Sequence, residues 1–305
     1  MIDITSKQIT LRKARASGKV LCTPETLMRI KNNNLPKGNL LDIAKAAGLL
    51  AAKKTCDLIP HCHPVSIDGV NITYELIETE NEKGIFIEVE GKSIGMTGIE
   101  MEVLTAVSVT ALTIYDLLKP IDKELEISNI KLVEKSGGKS QFKKEVKKGT
   151  RAAVLVCSDS TFQGKRDDKS GLIIKEMLES YSVDIADYKI VPDEKTTIQN
   201  EIMSWVDNDI PFIFTTGGTG LGPRDHTVDA VKEIIERDAE GISEAMRSYG
   251  GMRTPLAMLS RSTAGSIKKS LIVTLPGSSN GARESLEAIL PGLFHARKML
   301  LGGGH

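Results

Sequence analysis

In the first half of the chain, apolar residues recur at helical spacing and then at alternating spacing. Over residues 23–32, Leu27 and Ile30 share a helical face, Thr23 can cap the first turn and Pro24 suits its opening position. Residues 40–54 are rich in Ala and Leu at helical spacing, and such small side chains let another backbone come close, in a core or at a subunit contact. Residues 70–77 and 84–89 alternate; with the polar stretch 78–83 between them they predict an antiparallel hairpin. A long helix is predicted over 100–119, with Val103, Val107, Ile114 and Leu118 on one stripe. Asp116 falls roughly opposite Val107, and Lys119 is its neighbour on the same surface. A strand over 125–135 completes a strand–helix–strand–strand–helix–strand order, an α+β layer with helices on one face of a sheet.

The second half alternates strand and helix. Strands are predicted at 152–157, at 188–191, in the run that begins Phe212-Ile213-Phe214 and at 271–275. Helices are predicted at 170–178 with Ser170 as cap, at 197–206, at 227–237 and at 282–300. This order predicts an α/β, doubly wound, mostly parallel sheet, in which ligands sit beyond the carboxyl ends of the strands. Those ends carry Ser158-Asp159, Pro192-Asp193, the loop from Thr215 to Asp225, and Pro276-Gly277-Ser278-Ser279. Glycines at 217, 218, 220 and 222 permit positive φ and leave no Cβ to hold a ligand off the backbone, so the loop can form an anion-binding nest. Arg224 offers a fork for phosphate, and Asp225 a carboxylate for metal or proton work. No Gly-Lys-Ser/Thr follows, so this is not a Walker loop. The plainer readings are a tight turn with a surface ion pair and acids that cap the next helix. Acids at three successive strand ends favour a site holding Mg²⁺ and a nucleotide.

Composition narrows the picture. A chain of 305 residues implies two domains, and a formal net charge of zero leaves no electrostatic footprint for nucleic acid. No apolar run reads as long enough to span a bilayer and no signal peptide is read at Met1, so no membrane partner is expected. Cys22, Cys56, Cys62 and Cys157 are scattered, which predicts reduced thiols and a cytoplasmic location. Six lysines over residues 135–148 mark a solvated connector; the expected domains are 1–142 and 151–305, with 143–150 as linker. His61-Cys62-His63, bracketed by Pro60 and Pro64, can be read as zinc ligands with Cys56, as acid–base or phosphate contacts, or as structural histidines.

Two family resemblances cover these motifs. Residues 1–142 resemble the cyclic pyranopterin monophosphate synthase family (MoaC) through Ile2-Asp3-Ile4-Thr5, Thr10-Leu11-Arg12, Ala51-Ala52-Lys53-Lys54-Thr55, Leu58-Ile59-Pro60-His61-Cys62-His63-Pro64, Thr97-Gly98-Ile99-Glu100-Met101-Glu102, Leu112-Thr113-Ile114-Tyr115-Asp116 and Gly137-Gly138-Lys139-Ser140. The resemblance implies a ferredoxin-like fold, a hexamer and sites shared between subunits. The implied reaction turns 3′,8-cyclo-7,8-dihydroguanosine triphosphate into cyclic pyranopterin monophosphate and pyrophosphate, with no cofactor. It assigns catalysis to Lys53, Asp116 and Lys119, and substrate binding to Arg12, Lys37, His61, Cys62, His63, Met101, Glu102 and Lys139. Asn39 and Met96 depart from the family's usual Asp and Lys.

Residues 151–300 resemble the molybdopterin adenylyltransferase family (MogA/MoaB) through Val156-Cys157-Ser158-Asp159, Asp168-Lys169-Ser170-Gly171, Ile190-Val191-Pro192-Asp193, Pro223-Arg224-Asp225, Glu244-Ala245-Met246-Arg247 and Leu275-Pro276-Gly277-Ser278. The resemblance implies a trimeric α/β fold and Mg²⁺-ATP-dependent adenylylation of molybdopterin. Asp193 and Asp225 match the catalytic and metal-holding acids. Ser158, Asp159, Thr216, Gly217, Gly218, Thr219, Gly220, Arg224, Pro276, Gly277 and Ser278 match substrate-binding positions. Together the resemblances imply a bifunctional enzyme of molybdenum cofactor synthesis, a trimer-based homo-oligomer, with a non-catalytic pterin-binding scaffold as the alternative for the second half.

Overall fold

The computed structural model describes residues 1–142 and 146–304, with Lys139 and Ser140 as backbone only. Part of the expected linker, Lys143 to Glu145, thus lies outside the described residues. The chain forms two compact units, Met1–Gln141 and Phe142–His305.

In the first unit, β1 (Thr10–Leu21) is followed by helices α1 (Pro24–Lys31), α2 (Leu40–Lys53) and α3 (Thr55–Leu58). The hairpin β2 (Gly69–Glu78) and β3 (Lys83–Gly95), the long helix α4 (Glu100–Leu118), β4 (Glu126–Ser136) and the short α5 (Lys139–Phe142) complete the order. The four strands form one antiparallel sheet, β2-β3-β1-β4, with Ala16 of β1 opposite Val89 on one side and Leu132 on the other. Ala14, Ala16 and Val20 point to the buried face, while Arg15 and Lys19 between them form ion pairs on the open face. This is an α+β layer with helices on one side, built as the apolar spacing predicts. Thr23 caps α1, accepting the Thr26 N–H at 3.4 Å, with Pro24 opening the helix.

Val103, Val107, Ile114 and Leu118 are buried along α4, as their spacing predicts. One expectation is corrected: by length and composition α4 could cross a membrane. Its apolar side is taken up instead by the sheet and by α2. The alanines of α2 act in that core contact. The Thr110 hydroxyl reaches the Ala44 carbonyl at 3.5 Å, and a Cβ on Gly48 would stand 2.2 Å from Thr110 Oγ1 and 2.7 Å from Ile72 Cδ1.

In the second unit the order is β5 (Arg151–Cys157), α6 (Asp159–Phe162), α7 (Ser170–Glu179), β6 (Asp184–Val191), α8 (Lys195–Asp207) and β7 (Phe212–Thr216). Then come α9 (Thr227–Ile234), β8 (Arg237–Asp238), α10 (Glu240–Gly251), β9 (Ala264–Ile267), β10 (Ser270–Leu275), α11 (Ser279–Ile289) and α12 (Ala296–Leu300). The sheet order is β6-β5-β7-β10-β9-β8. The first four strands are parallel; β9 and β8 turn antiparallel at the edge. β7 lies between β5 and β10, with Ile213 opposite Ala153 and Ile272, and Phe212, Ile213 and Phe214 are wholly buried. Phe212 and Phe214 face one core, Ile213 the other, so helices cover both sides.

Three details differ from the sequence reading. The helix expected over 282–300 stops at Ile289, because Pro291 has no N–H to donate and its ring crowds the preceding turn. The helix expected over 227–237 ends at Ile234, since Arg237 and Asp238 pair with β9. In the first turn of α7 the Gly171 N–H is taken by Asp168, whose Oδ1 accepts it at 2.8 Å, and not by Ser170.

Gly48→Val tests the α2–α4 contact. It places a branched side chain against backbone and core, and should lower stability by about 2 kcal/mol or more in a denaturant titration.

Candidate active sites

The carboxyl ends of β5, β6, β7 and β10 open on a cleft of about 580 Å³. Ser158, Asp159, Asp193, Thr216, Gly217, Gly218, Arg224, Asp225, Gly277 and Ser278 all line it. The expected Thr219, Gly220 and Pro276 do not. Thr219 is buried, its carbonyl accepting the Arg261 N–H at 3.0 Å, and the Pro276 carbonyl accepts the Thr216 hydroxyl at 2.9 Å. These three residues hold the loop from behind.

The turn after β7 is narrower in its demands than four glycines suggest. Only Gly217 (φ 94°) and Gly218 (φ 59°) adopt the left-handed region. A Cβ on Gly217 would stand 2.1 Å from the Cys157 carbonyl, and one on Gly218 would stand 2.4 Å from Asp193 Oδ2. Among the described residues, no acceptor takes the N–H of Gly218, Thr219 or Gly220. Successive unpaired amides at such a turn suit an anion.

The acids around it have different tasks. Asp193 Oδ1 accepts from the His226 N–H at 3.2 Å and from the Thr227 hydroxyl at 3.4 Å. Half-buried, its carboxyl is pushed above the usual range, first by burial and then, against the His226 hydrogen bond, by the charge of Asp225. Asp225 Oδ2 accepts the Gly222 N–H at 2.7 Å, closing the loop on itself. Asp159 accepts the Asp193 N–H at 3.0 Å and lies 3.7 Å from Arg224. Among the described residues no three His, Cys, Asp or Glu side chains converge as a metal cluster. Within this chain neither the three strand-end acids nor His61, Cys62 and His63 with Cys56 stand together as such a cluster.

In the first unit the predicted residues fall into separate groups. Arg12 lines a cleft of about 650 Å³ with Thr97, Gly98, Glu100, Gly137 and Gly138. Its guanidinium donates to the carbonyls of Gln8, Gly95 and Met96. Met101 is exposed in the first turn of α4, and Glu102 beside it is buried, with no hydrogen-bond partner for Oε2. Burial raises the Glu102 carboxyl, and burial followed by the charge of Glu102 raises the Cys62 thiol, which places Cys62 near that end of the helix. At the other end, Asp116 pairs with Lys119 at 2.6 Å and with Lys37 at 3.4 Å, all three solvent-accessible. The Lys119 hydrogen bond leads in holding Asp116 below the usual carboxylate range. Lys37 precedes α2 and meets Asp116, Ala44 meets Thr110, and Gly48 faces Ala106, so α2 runs antiparallel to α4. Exposed Lys53, the last residue of α2, thus lies toward the Met101 end. Exposed His61 and half-buried His63 flank Cys62, and the Lys139 side chain lies outside the described residues.

Residues 1–138 match the MoaC family, and residues 153–295 match a probable molybdopterin binding domain. The molybdenum cofactor biosynthesis bifunctional protein of Chlorobaculum tepidum is 42% identical over 100% of this chain and 96% of its own. The chain belongs to this bifunctional family. Its relative of the same name in Synechococcus elongatus is 37% identical over 100% of this chain and 98% of its own. The cyclic pyranopterin monophosphate synthase of Heliobacterium modesticaldum is 49% identical over 46% of this chain and 87% of its own.

The structure adds cleft-lining residues to both units of this bifunctional protein. In the MoaC unit they are Lys7, Lys13, Glu100 and Lys135. Glu100 stands inside the motif ending in Met101-Glu102, and Lys135 reads in sequence as part of a solvated connector. In the molybdopterin-binding unit they include Lys165, Arg166 and Asp168, the last within the motif Asp168 to Gly171. Burial of Asp193 predicts a cost to stability. Because its folded pKa is raised, its ionisation opposes folding, and the stability it withholds returns as pH falls through that raised value. Asp193→Asn, which keeps an acceptor for His226 and Thr227, should melt at a higher temperature than the parent at neutral pH, with the difference shrinking toward acid. Equal melting across that range would show that the carboxylate is unstrained.

Proposed function

We propose that this chain performs two separate steps of molybdenum cofactor synthesis. The MoaC unit rearranges 3′,8-cyclo-7,8-dihydroguanosine triphosphate into cyclic pyranopterin monophosphate with loss of pyrophosphate. The molybdopterin-binding unit adenylylates the terminal phosphate of molybdopterin with Mg²⁺-ATP. The names of the relatives support the pathway and the first activity. Four free cysteines suit a reducing compartment, and we place the enzyme in the cytoplasm.

For the second unit, the carrying observation is one cleft that gathers ten predicted residues from four strand ends around an amide-lined turn. Asp193 and Asp225, close enough for one charge to raise the other's pKa, suit an ion that arrives on a triphosphate, since Mg²⁺ takes one or two carboxylates together with phosphates. These two acids would hold it, and it would offset charge on the phosphates. The Gly218 amide holds a phosphate by hydrogen bonding, and the hydroxyls of Ser158 and Ser278 line the same cleft for orientation. A molybdopterin phosphate oxygen then bonds to the α-phosphorus as the bond to the β-phosphate breaks and pyrophosphate leaves. Such transfers rest on positioning and charge neutralisation. Asp225→Ala should bind pterin yet form adenylylated product at least about a hundredfold more slowly in a pyrophosphate-release assay. Parental rates would sink the assignment. Pterin binding by the unaltered chain without any pyrophosphate release would leave the scaffold reading.

For the first unit, the carrying observation is the separation of its groups along α4. Met101 and Asp116 stand about 22 Å apart along the axis at 1.5 Å per residue, too far for one triphosphate-bearing substrate to meet both ends closely. The complete site therefore combines the Arg12 end of one copy with the Lys37–Asp116–Lys119 end of another, within a trimer-based homo-oligomer, a hexamer. The ferredoxin-like reading is supported by the βαββαβ order with β1 and β3 central. Arg12 and Lys37 offset phosphate charge, and the Asp116–Lys119 pair moves protons. Arg12→Ala and Lys119→Ala proteins should each be inactive alone and regain activity when their subunits are mixed. Absence of recovery in verified mixed oligomers would rule out a shared site.

A further inference from the structure

In the second cleft the carboxylates of Asp193 and Asp225 sit at the strand end and the glycine turn, while the connection between α6 and α7 brings Lys165, Arg166 and Lys169 together with Asp167 and Asp168, a net positive segment. Among the described residues these three cations form no ion pair and no side-chain hydrogen bond. The connection that carries them is nevertheless held at both ends. The Gly164 N–H donates to the Thr161 carbonyl at 3.0 Å and the Lys165 N–H to the Ser160 carbonyl at 2.9 Å, with Gly164 at φ 69°. At the far end Asp168 accepts from the Gly171 N–H at 2.8 Å, from the Ser170 hydroxyl and from the Tyr188 hydroxyl. The loop backbone is fixed while its cationic side chains are left available.

The total charge makes their placement matter. Four basic and five acidic side chains line the cleft, a formal balance of minus one. A free nucleotide tetraanion gains nothing from such a cleft as a whole; attraction must come from where the cations stand. In the adenylylation reading the α-phosphorus reacts beside the glycine turn, so the departing diphosphate has to be met by positive charge from another element. Arg224 belongs to the turn itself and leans toward Asp159. Lys169 directly precedes α7 and is tied to its start.

We propose that Lys165 and Arg166 bind the two terminal phosphates of the nucleoside triphosphate, so that this loop distinguishes triphosphate from monophosphate and holds the diphosphate as it leaves. The inference rests on the adenylylation reading and deepens it. As the new bond to the α-phosphorus forms, the electron pair of the broken bond passes to the β-phosphate oxygen, where these cations offset the added charge.

The test compares the full-length parent with the double variant Lys165→Gln, Arg166→Gln by calorimetry, using Mg²⁺-ATP and AMP as probes. Two rim cations predict a loss of ATP affinity of about tenfold, with AMP affinity unchanged within about twofold. Added NaCl should weaken ATP binding more in the parent than in the variant. Unchanged ATP affinity in the variant overturns the proposal, and so does equal loss of ATP and AMP affinity, which would mark the loop as structural. If the parent itself binds no Mg²⁺-ATP, the adenylylation reading falls first; if the parent adenylylates and the variant binds both nucleotides normally, only this inference falls.

Discussion

β7 can exist only where both of its faces are covered. Phe212 and Phe214 point one way and Ile213 the other, and all three are excluded from solvent. A strand apolar on both faces must lie inside a sheet with helices above and below, and parallel neighbours must then be joined by helical crossovers. Connections of that kind bring successive strand ends out on the same rim. The Ser158, Asp193, Gly217 and Gly277 loops meet because β5, β6, β7 and β10 run the same way. The site in this unit is thus a consequence of how β7 is buried.

The first unit obeys a different constraint. Its antiparallel sheet needs cover on one face only, and α4 supplies most of it, with Ile99, Val103, Val107, Ala111, Ile114 and Leu118 all buried. A helix that spans the sheet sends its two ends to opposite edges. Groups attached to its first turn, such as Glu102, and to its last, such as Asp116, are held apart by the length of the helix itself. Close packing against α2 at Gly48 keeps that rod in place without making a pocket of it.

Electrostatics separates the two units further. Asp193 is strained toward its neutral form by burial and by Asp225, whereas Asp116 is relaxed toward its charged form by Lys119 and Lys37. The first pattern belongs to a carboxylate waiting for positive charge from outside; the second already has it. Glu102, buried with one oxygen unpaired, is likewise pushed toward its neutral form by burial.

Apolar periodicity alone determined the α+β and α/β characters, the long α4, the run of β7 and the identity of the acids at the strand ends, because burial imposes spacings of 2 and 3.6 that local sequence must carry. The motif residues likewise made both family resemblances legible. Other features were decided in three dimensions. Thr219 and Pro276 read as ligand contacts but brace the loop, since the Arg261 backbone N–H and the Thr216 hydroxyl take their carbonyls. The edge strands β8 and β9 are too short, and Ala264 to Ile267 too small in its side chains, to announce themselves. Which charges share a cleft is a matter of distance through space; Lys165 and Asp193 are apart in the chain and line one cleft, and no spacing along the sequence encodes that.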